Sequence, residues 1–252
     1  MNIIELYKQF VRIKKLGWIK SMRKGYTGLG YTFEYLLGKK EDSLPLPDFG
    51  DIEIKTIRYN SRKKLHLFSI MPDGDSIFPM DILDKLGYPD KNNKNIKVFN
   101  MDFNNINYTP IGYYKMGKIN VDLKNKKIDF IAIDYLGNNL NIKTSWSFKI
   151  LKERLFQKLS KLVIIESLSK KHNEDDYYFY KKINYYKLKD FETFINLIEY
   201  GIIKIGIKIS YYKDQENYGK TKTRGTIFSI SLSDIDKLYN KIPLEFFEYQ
   251  LL

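Results

Sequence analysis

The chain contains no cysteine. That excludes disulfides, a thiol nucleophile and every zinc site built on cysteine thiolates. Histidine is almost as scarce: only His66 and His172 occur, far apart in sequence. His66 stands in the alternating run KKLHLFSI and is expected to be a satisfied strand histidine. His172, in the polar stretch SKKHNEDD, reads as a solvated loop residue. A histidine-based nuclease motif, a histidine-rich metal site and a Ser-His-Asp triad are therefore poorly supported. No apolar run approaches the roughly 20 residues that cross a bilayer, and the N-terminus shows no signal-peptide h-region or cleavage site. A membrane partner is not expected. Internal repeats and low-complexity tracts are absent as well. Acid-plus-metal chemistry is what remains.

What is present bounds the rest. The chain has 252 residues, 43% of them hydrophobic, enough for one large domain or two lobes with a sizeable core. Its formal net charge is +13, with 43 basic residues set among 30 acidic ones. Such an excess favours a polyanionic partner through counterion release.

The N-terminal MNIIELYKQFVRIKKLG has the spacing of an amphipathic helix, with Ile4, Tyr7, Phe10, Val11 and the stem of Lys14 on its apolar side. A basic, glycine-rich turn follows, and TFEYLLG reads as a short helix that Gly38 would cap. GDIEIKTI and KLHLFSIM are expected strands, and MDILDKLG a short helix. KINVDL and KIDFIAIDY flank NKK as a hairpin. Residues 146–160 have helical spacing and run into KLVIIES, a strand of the buried kind. DYYFYKKINYYK is a further strand, and FETFINLIEYG is a helix ending at Gly201. IIKIGIKISYY and GTIFSISL are strands around a polar loop, and SDIDKLY is a last helix with Ser233 as its cap. Helices and hairpins mix without a βαβ rhythm, which predicts an α+β fold with a mixed sheet. The charged stretch near 168–176 is the expected soft boundary between a catalytic lobe, residues 1–167, and a smaller recognition lobe, residues 168–252, two lobes that can share strands.

The segment PLPDFGDIEIKT carries the most chemistry. Strand alternation over residues 50–57 puts Glu53 and Lys55 on one face and turns Ile52 and Ile54 to the other. Asp48 precedes the strand at a bend prepared by Pro45 and Pro47. Two carboxylates able to share a divalent cation, with an ammonium that reaches a water or a phosphate oxygen, are the equipment for metal-assisted phosphodiester hydrolysis. Taken alone the triplet is weak, because the solvated face of an amphipathic strand gives the same pattern. Glu34, on the short helix, is a further acid that could join the site or stand exposed.

Two basic segments offer contacts to a polyanion. RKGYTGLG resembles a phosphate cradle in which Arg23 or Lys24 would touch a backbone phosphate, although it matches neither a Walker nor a Rossmann pattern. In 204–224, Lys204, Lys208, Lys213, Lys220, Lys222 and Arg224 interleave with Tyr211, Tyr212 and Tyr218, against only Asp214 and Glu216. That pattern suits insertion into a DNA groove, with Arg224 able to pair bidentately with guanine. A solvated hairpin in a lysine-rich protein reads the same way.

The order GYTGLGYTFEYLLG, PDFGDIEIKT and GKTKTRGTIFSI resembles restriction endonucleases of the MvaI/BcnI type, in the MutH-like branch of the PD-(D/E)XK nucleases. The likeness runs over about residues 24–56, 145–167 and 204–231, while 72–107 is not placed by it. It implies a restriction-endonuclease-like mixed sheet flanked by helices, and two lobes forming a cleft around duplex DNA. It further implies a type II, Mg2+-dependent endonuclease that cuts a short specific site as a monomer nicking each strand in turn. Such an enzyme is prokaryotic and cytoplasmic, and its cognate DNA methyltransferase acts in the same system without a stable complex. Through the motif, Asp48 and Glu53 would be metal ligands, Lys55 would position or activate the attacking water, and Glu34 would be the additional active-site acid. Asp51 is held in reserve, since alternation would put it on the face of Glu53. Lys24, Lys208, Tyr212, Lys220, Lys222 and Arg224 would contact DNA. Arg224 and Lys222 stand where relatives show histidines, a departure that bears on the target sequence. The alternatives are a MutH-like mismatch-repair nicking enzyme and a non-catalytic nucleic-acid-binding protein with a structural acidic triplet.

Overall fold

The computed structural model describes residues 2–39, 46–61, 64–74, 78–223 and 225–244. The chain forms two compact units that interleave in sequence: residues 1–63, 155–189 and 238–252 make the first, and 64–154 with 190–237 make the second. A division at residue 168 does not describe it. That position lies within the strand Lys161–His172, which forms a long antiparallel hairpin with Asp175–Leu188. The charged stretch is the tip of this hairpin, where Asn173 takes the left-handed conformation at φ 54°. Charge and polarity mark a hairpin tip as readily as a linker.

The first unit is built on a five-stranded mixed sheet ordered Ile19–Lys20, Asp175–Leu188, Lys161–His172, Ile52–Arg58, with Tyr239–Ile242 also paired to Asp175–Leu188. The acidic strand Ile52–Arg58 lies at the sheet edge and is parallel to Lys161–His172, in a register that sets Leu162 opposite Glu53. A parallel partner requires a long crossover, and here the crossover contains residues of the second unit.

Two helices pack on this sheet. In Ile3–Lys15 the Asn2 side chain accepts the Glu5 N–H, a normal N-cap. The buried stripe of this helix is Leu6, Phe10 and Ile13, with Tyr7 and Val11 at its margin. It is thus rotated from the expected side, and Lys14 is exposed. The second helix, Gly28–Leu36, contributes Leu29 and Phe33 to the same core as Ile52, Ile54, Val163 and Tyr180. Gly38, at φ +78°, ends that helix as expected, its N–H donating to the Tyr35 carbonyl.

The second unit has an antiparallel sheet ordered Lys64–Ile70, Thr226–Ser231, Lys204–Tyr211, Lys97–Phe103, Tyr88–Pro89, and a four-stranded sheet that holds the predicted hairpin Lys115–Asp122 and Lys127–Asp134. The unplaced residues 72–107 therefore supply the strand Lys97–Phe103 alongside Lys204–Tyr211. Trp146, Phe68, Phe194 and Phe228 pack together in the core of this unit. Ser233 is not a helix cap; it lies in a 3-10 turn, and the short helix begins at Ile235.

Candidate active site

The acidic strand begins after a tight turn in which Phe49 and Ile52 exchange backbone hydrogen bonds. Gly50 sits there at φ +61°, a conformation that costs glycine little. The turn places Asp48 at the open edge of the strand, where its Oδ2 accepts the Ile54 N–H at 3.0 Å. Edge N–H groups are otherwise unsatisfied, so Asp48 caps the edge and is oriented by it. Pro45, the other half of the expected bend, lies outside the described residues.

Ile52 and Ile54 enter the core as alternation requires, but the opposite face is not solvated. Glu53 is 1% exposed. A carboxylate buried to this extent loses several kcal/mol of hydration, so an amphipathic strand with a wet acidic face does not account for it. Lys55 donates to its Oε1, and Lys158 Nζ lies 3.3 Å from its Oε2. The second contact is an ion pair without hydrogen-bond geometry, and Oε2 is a buried acceptor with no hydrogen bond. Burial raises the Glu53 pKa, against the lowering influence of Lys55. Tyr239 is buried as well, and its phenol is held protonated first by burial and then by the Glu53 charge.

Glu34 reaches the same cluster from the helix Gly28–Leu36. Burial lifts its carboxyl above the usual range, with the Asp48 charge adding to the effect and Lys39 and Lys55 opposing it. Gly30 lets this helix lie close to the acidic strand, since a Cβ there would stand 3.3 Å from Thr56 Oγ1. At Gly28 a Cβ would stand 2.5 Å from the Arg23 carbonyl oxygen. The glycines that resemble a phosphate cradle are thus needed where the helix begins and packs. Asp48 has the opposite balance to Glu34. Burial disfavours its charge, but the hydrogen bonds from Lys39 and from the Ile54 N–H outweigh this and hold its pKa below the usual value.

The raised Glu34 value gives a pH signature. Because the folded state holds this proton more tightly than the unfolded chain, stability should fall as pH rises from the unfolded carboxyl range, about 4.3, through the higher folded value. Glu34→Gln removes that penalty. It should melt at a higher temperature than the wild type at neutral pH in metal-free buffer, and the gap should close by about pH 4. Melting curves over this range check it.

Glu34, Asp48, Glu53 and Lys55 are therefore brought together. Asp51 is not: it is 60% exposed on its side chain, lies before the first strand residue and pairs with Lys161. Alternation does not extend to it because the turn intervenes. Lys39 and Lys158 are additional members that the sequence reading missed. Lys39 pairs with Asp48 Oδ1 at 2.7 Å. Lys158 lies three residues before a strand whose parallel register with the acidic strand no local pattern encodes.

A hard divalent cation takes oxygen donors and, if Mg2+, keeps several waters around one or two carboxylates. No group of three or more His, Cys, Asp or Glu able to hold a metal occurs among the described residues. The oxygen donors of the cluster are those of Asp48, Glu53 and Glu34; Glu53 Oε2 accepts no hydrogen bond, and a cation there would face the Lys158 ammonium 3.3 Å away.

The basic segment of the second unit forms the expected hairpin. Ile205, Ile207 and Ile209 are buried, while Lys208 lies on the other face; there burial disfavours the Asp102 charge, but the Lys64 hydrogen bond and charge, with Lys208 after them, hold its pKa below the usual value. Ser210 pairs across from Lys222, whose Nζ lies 5.0 Å from the Tyr212 ring centroid. Lys220 donates to Asn217 Oδ1 at 3.0 Å. Arg224 lies outside the described residues. Lys24 is exposed in the turn before the helix Gly28–Leu36.

The sequence pattern of the MvaI/BcnI restriction endonuclease family matches residues 7–239. Among solved structures, a complex of restriction endonuclease MvaI with its cognate DNA substrate is similar at a TM-score of 0.85 and 29% identity, covering 96% of this chain and 98% of that one. MvaI in the absence of DNA is similar at a TM-score of 0.62 and 28% identity over the same shares. No curated protein sequence matches the chain.

Proposed function

The chain belongs to the MvaI/BcnI restriction endonuclease family, and from that premise we propose that it is a type II enzyme hydrolysing phosphodiesters at a short specific site in double-stranded DNA. The observation that carries the proposal is Glu53, an acid buried beside two lysines with one oxygen left without a hydrogen bond. A fold gains little stability from such an arrangement, since burial of ions is costly even when they are paired. Carboxylates whose proton affinities are shifted in opposite directions, collected around one strand end, are what a catalytic site requires.

In this reading Asp48 and Glu53 hold Mg2+. The bound ion would neutralise charge on the phosphate and lower the pKa of a water. Lys55, anchored on Glu53, orients the attacking water or donates to a phosphate oxygen. Glu34, whose proton affinity is raised by burial, serves as an additional acid–base group near the reacting water. Lys24 contacts the DNA backbone, and Lys208, Tyr212, Lys220, Lys222 and Arg224 contact the duplex from the second unit. The protein works as a cytoplasmic prokaryotic monomer that nicks the two strands in turn, and its cognate methyltransferase protects the host site.

Incubation of supercoiled plasmid with the protein tests this. With Mg2+ the products should be linear fragments with common ends, and none should form in EDTA. Accumulation of nicked circles alone would favour a mismatch-repair type of nicking enzyme, and binding without hydrolysis of any nucleic acid would favour a non-catalytic protein.

A further inference from the structure

Asp48 has no idle oxygen in this structure. Oδ2 is tied to the Ile54 N–H at 3.0 Å, and Oδ1 accepts the Lys39 ammonium at 2.7 Å. The pair is shielded, with side-chain exposures of 15% for Asp48 and 20% for Lys39, so the attraction is screened less than at a free surface. Lys39 is also placed by its main chain. Its N–H donates to the Glu34 carbonyl at 3.0 Å, directly after the Gly38 turn that ends the helix Gly28–Leu36. Its charge acts on both Asp48 and Glu34.

The charges of the cluster balance without a metal. Glu34, Asp48 and Glu53 are met by Lys39, Lys55 and Lys158. Lys55 and Lys158 stand at Glu53, while Lys39 stands at Asp48. A divalent cation arriving at Oδ1 would meet a like charge already hydrogen-bonded to that atom. Oδ2 keeps a second acceptor site beside the Ile54 N–H, but a cation there would still face the Lys39 ammonium held on the same carboxylate. The ammonium is a mobile obstacle, because it ends a flexible four-carbon stem.

We infer that Lys39 is a resident counter-ion of Asp48 that a divalent cation must displace, and that it thereby sets how readily the enzyme takes up metal. The inference rests on the proposed role of Asp48 as a metal ligand. Lys39 is a positioning residue: in the metal-free protein it keeps Asp48 ionised and aimed, and it leaves when the ion enters. The two cations bind Asp48 in competition, so the presence of one weakens the other by the same factor.

The test is Mn2+ binding to the DNA-free protein, followed by the electron paramagnetic resonance signal of the free ion, with no cleavage involved. Lys39→Gln should bind Mn2+ at least about fivefold more tightly than the wild type, the lower end of ordinary coupling between sites. Lys39→Arg, which keeps the charge, should bind no more tightly than the wild type. Lys39→Met repeats the measurement if the Gln variant does not fold. Equal or weaker Mn2+ binding by the uncharged variant, with Asp48→Asn still impairing binding, would overturn the inference and leave the metal assignment standing. If Asp48→Asn bound Mn2+ as well as the wild type, the metal assignment itself would fail, and the inference with it.

Discussion

Glu53→Gln should lower DNA cleavage by roughly 10²–10⁴-fold, the range expected when a positioned acid–base or electrostatic group is lost, and leave DNA binding intact. The amide keeps the size of the side chain but cannot supply the anionic oxygen that Oε2 offers. It also removes the charge that holds Lys55. The fold should survive, because Lys55 and Lys158 remain 27% and 19% exposed and can turn toward water. Initial cleavage rates in Mg2+, set beside fluorescence anisotropy of a labelled duplex in Ca2+, separate the two effects. A loss of both together would mean that Glu53 supports the fold or the binding surface rather than the chemistry.

Phe33→Ala should severely destabilise the first unit. Phe33 is fully buried, on the helix that carries Glu34, and its ring packs 4.9 Å from that of Tyr180. Deleting a ring from such a site costs about 3–5 kcal/mol through lost transfer energy and the cavity left behind. For a chain of this size the melting temperature should fall by on the order of 10 °C. Tyr35, two residues on, is 55% exposed, and Tyr35→Ala should change stability by less than about 0.5 kcal/mol. Thermal unfolding of the two variants gives the comparison. Phe33→Ala should also slow cleavage, since Glu34 loses the packing that fixes its helix.

How much of this was legible depends on the range of the interaction involved. The strands and helices that carry the site follow from local periodicity, and the alternation of Ile52, Glu53, Ile54 and Lys55 gives their facing correctly. Periodicity did not show that Glu53 is buried, because burial is set by the parallel neighbour Lys161–His172 and by Lys158, both more than a hundred residues away in sequence. The same distance hid Lys158. Lys39 lies between the expected helix TFEYLLG and the expected strand GDIEIKTI, where no local periodicity marks it, and its partner Asp48 is reached through chain geometry that no pattern encodes. The choice of Asp48 over Asp51 came from the family likeness, and the geometry gives a physical reason for it. The turn at Phe49–Ile52 breaks the alternation that would have aligned Asp51 with Glu53. The charged stretch near residue 168 is a hairpin tip, which polarity marks as readily as a linker.

The central claim is that Asp48 and Glu53 together make a metal-dependent nuclease site at the edge of this strand. Plasmid digestion by the wild type, Asp48→Ala and Asp51→Ala, side by side with Mg2+ and with EDTA, tests it most directly. The account predicts linear fragments from the wild type and from Asp51→Ala in Mg2+ alone, and intact plasmid with Asp48→Ala. Undiminished cutting by Asp48→Ala, or equal cutting by the wild type in EDTA, would contradict it.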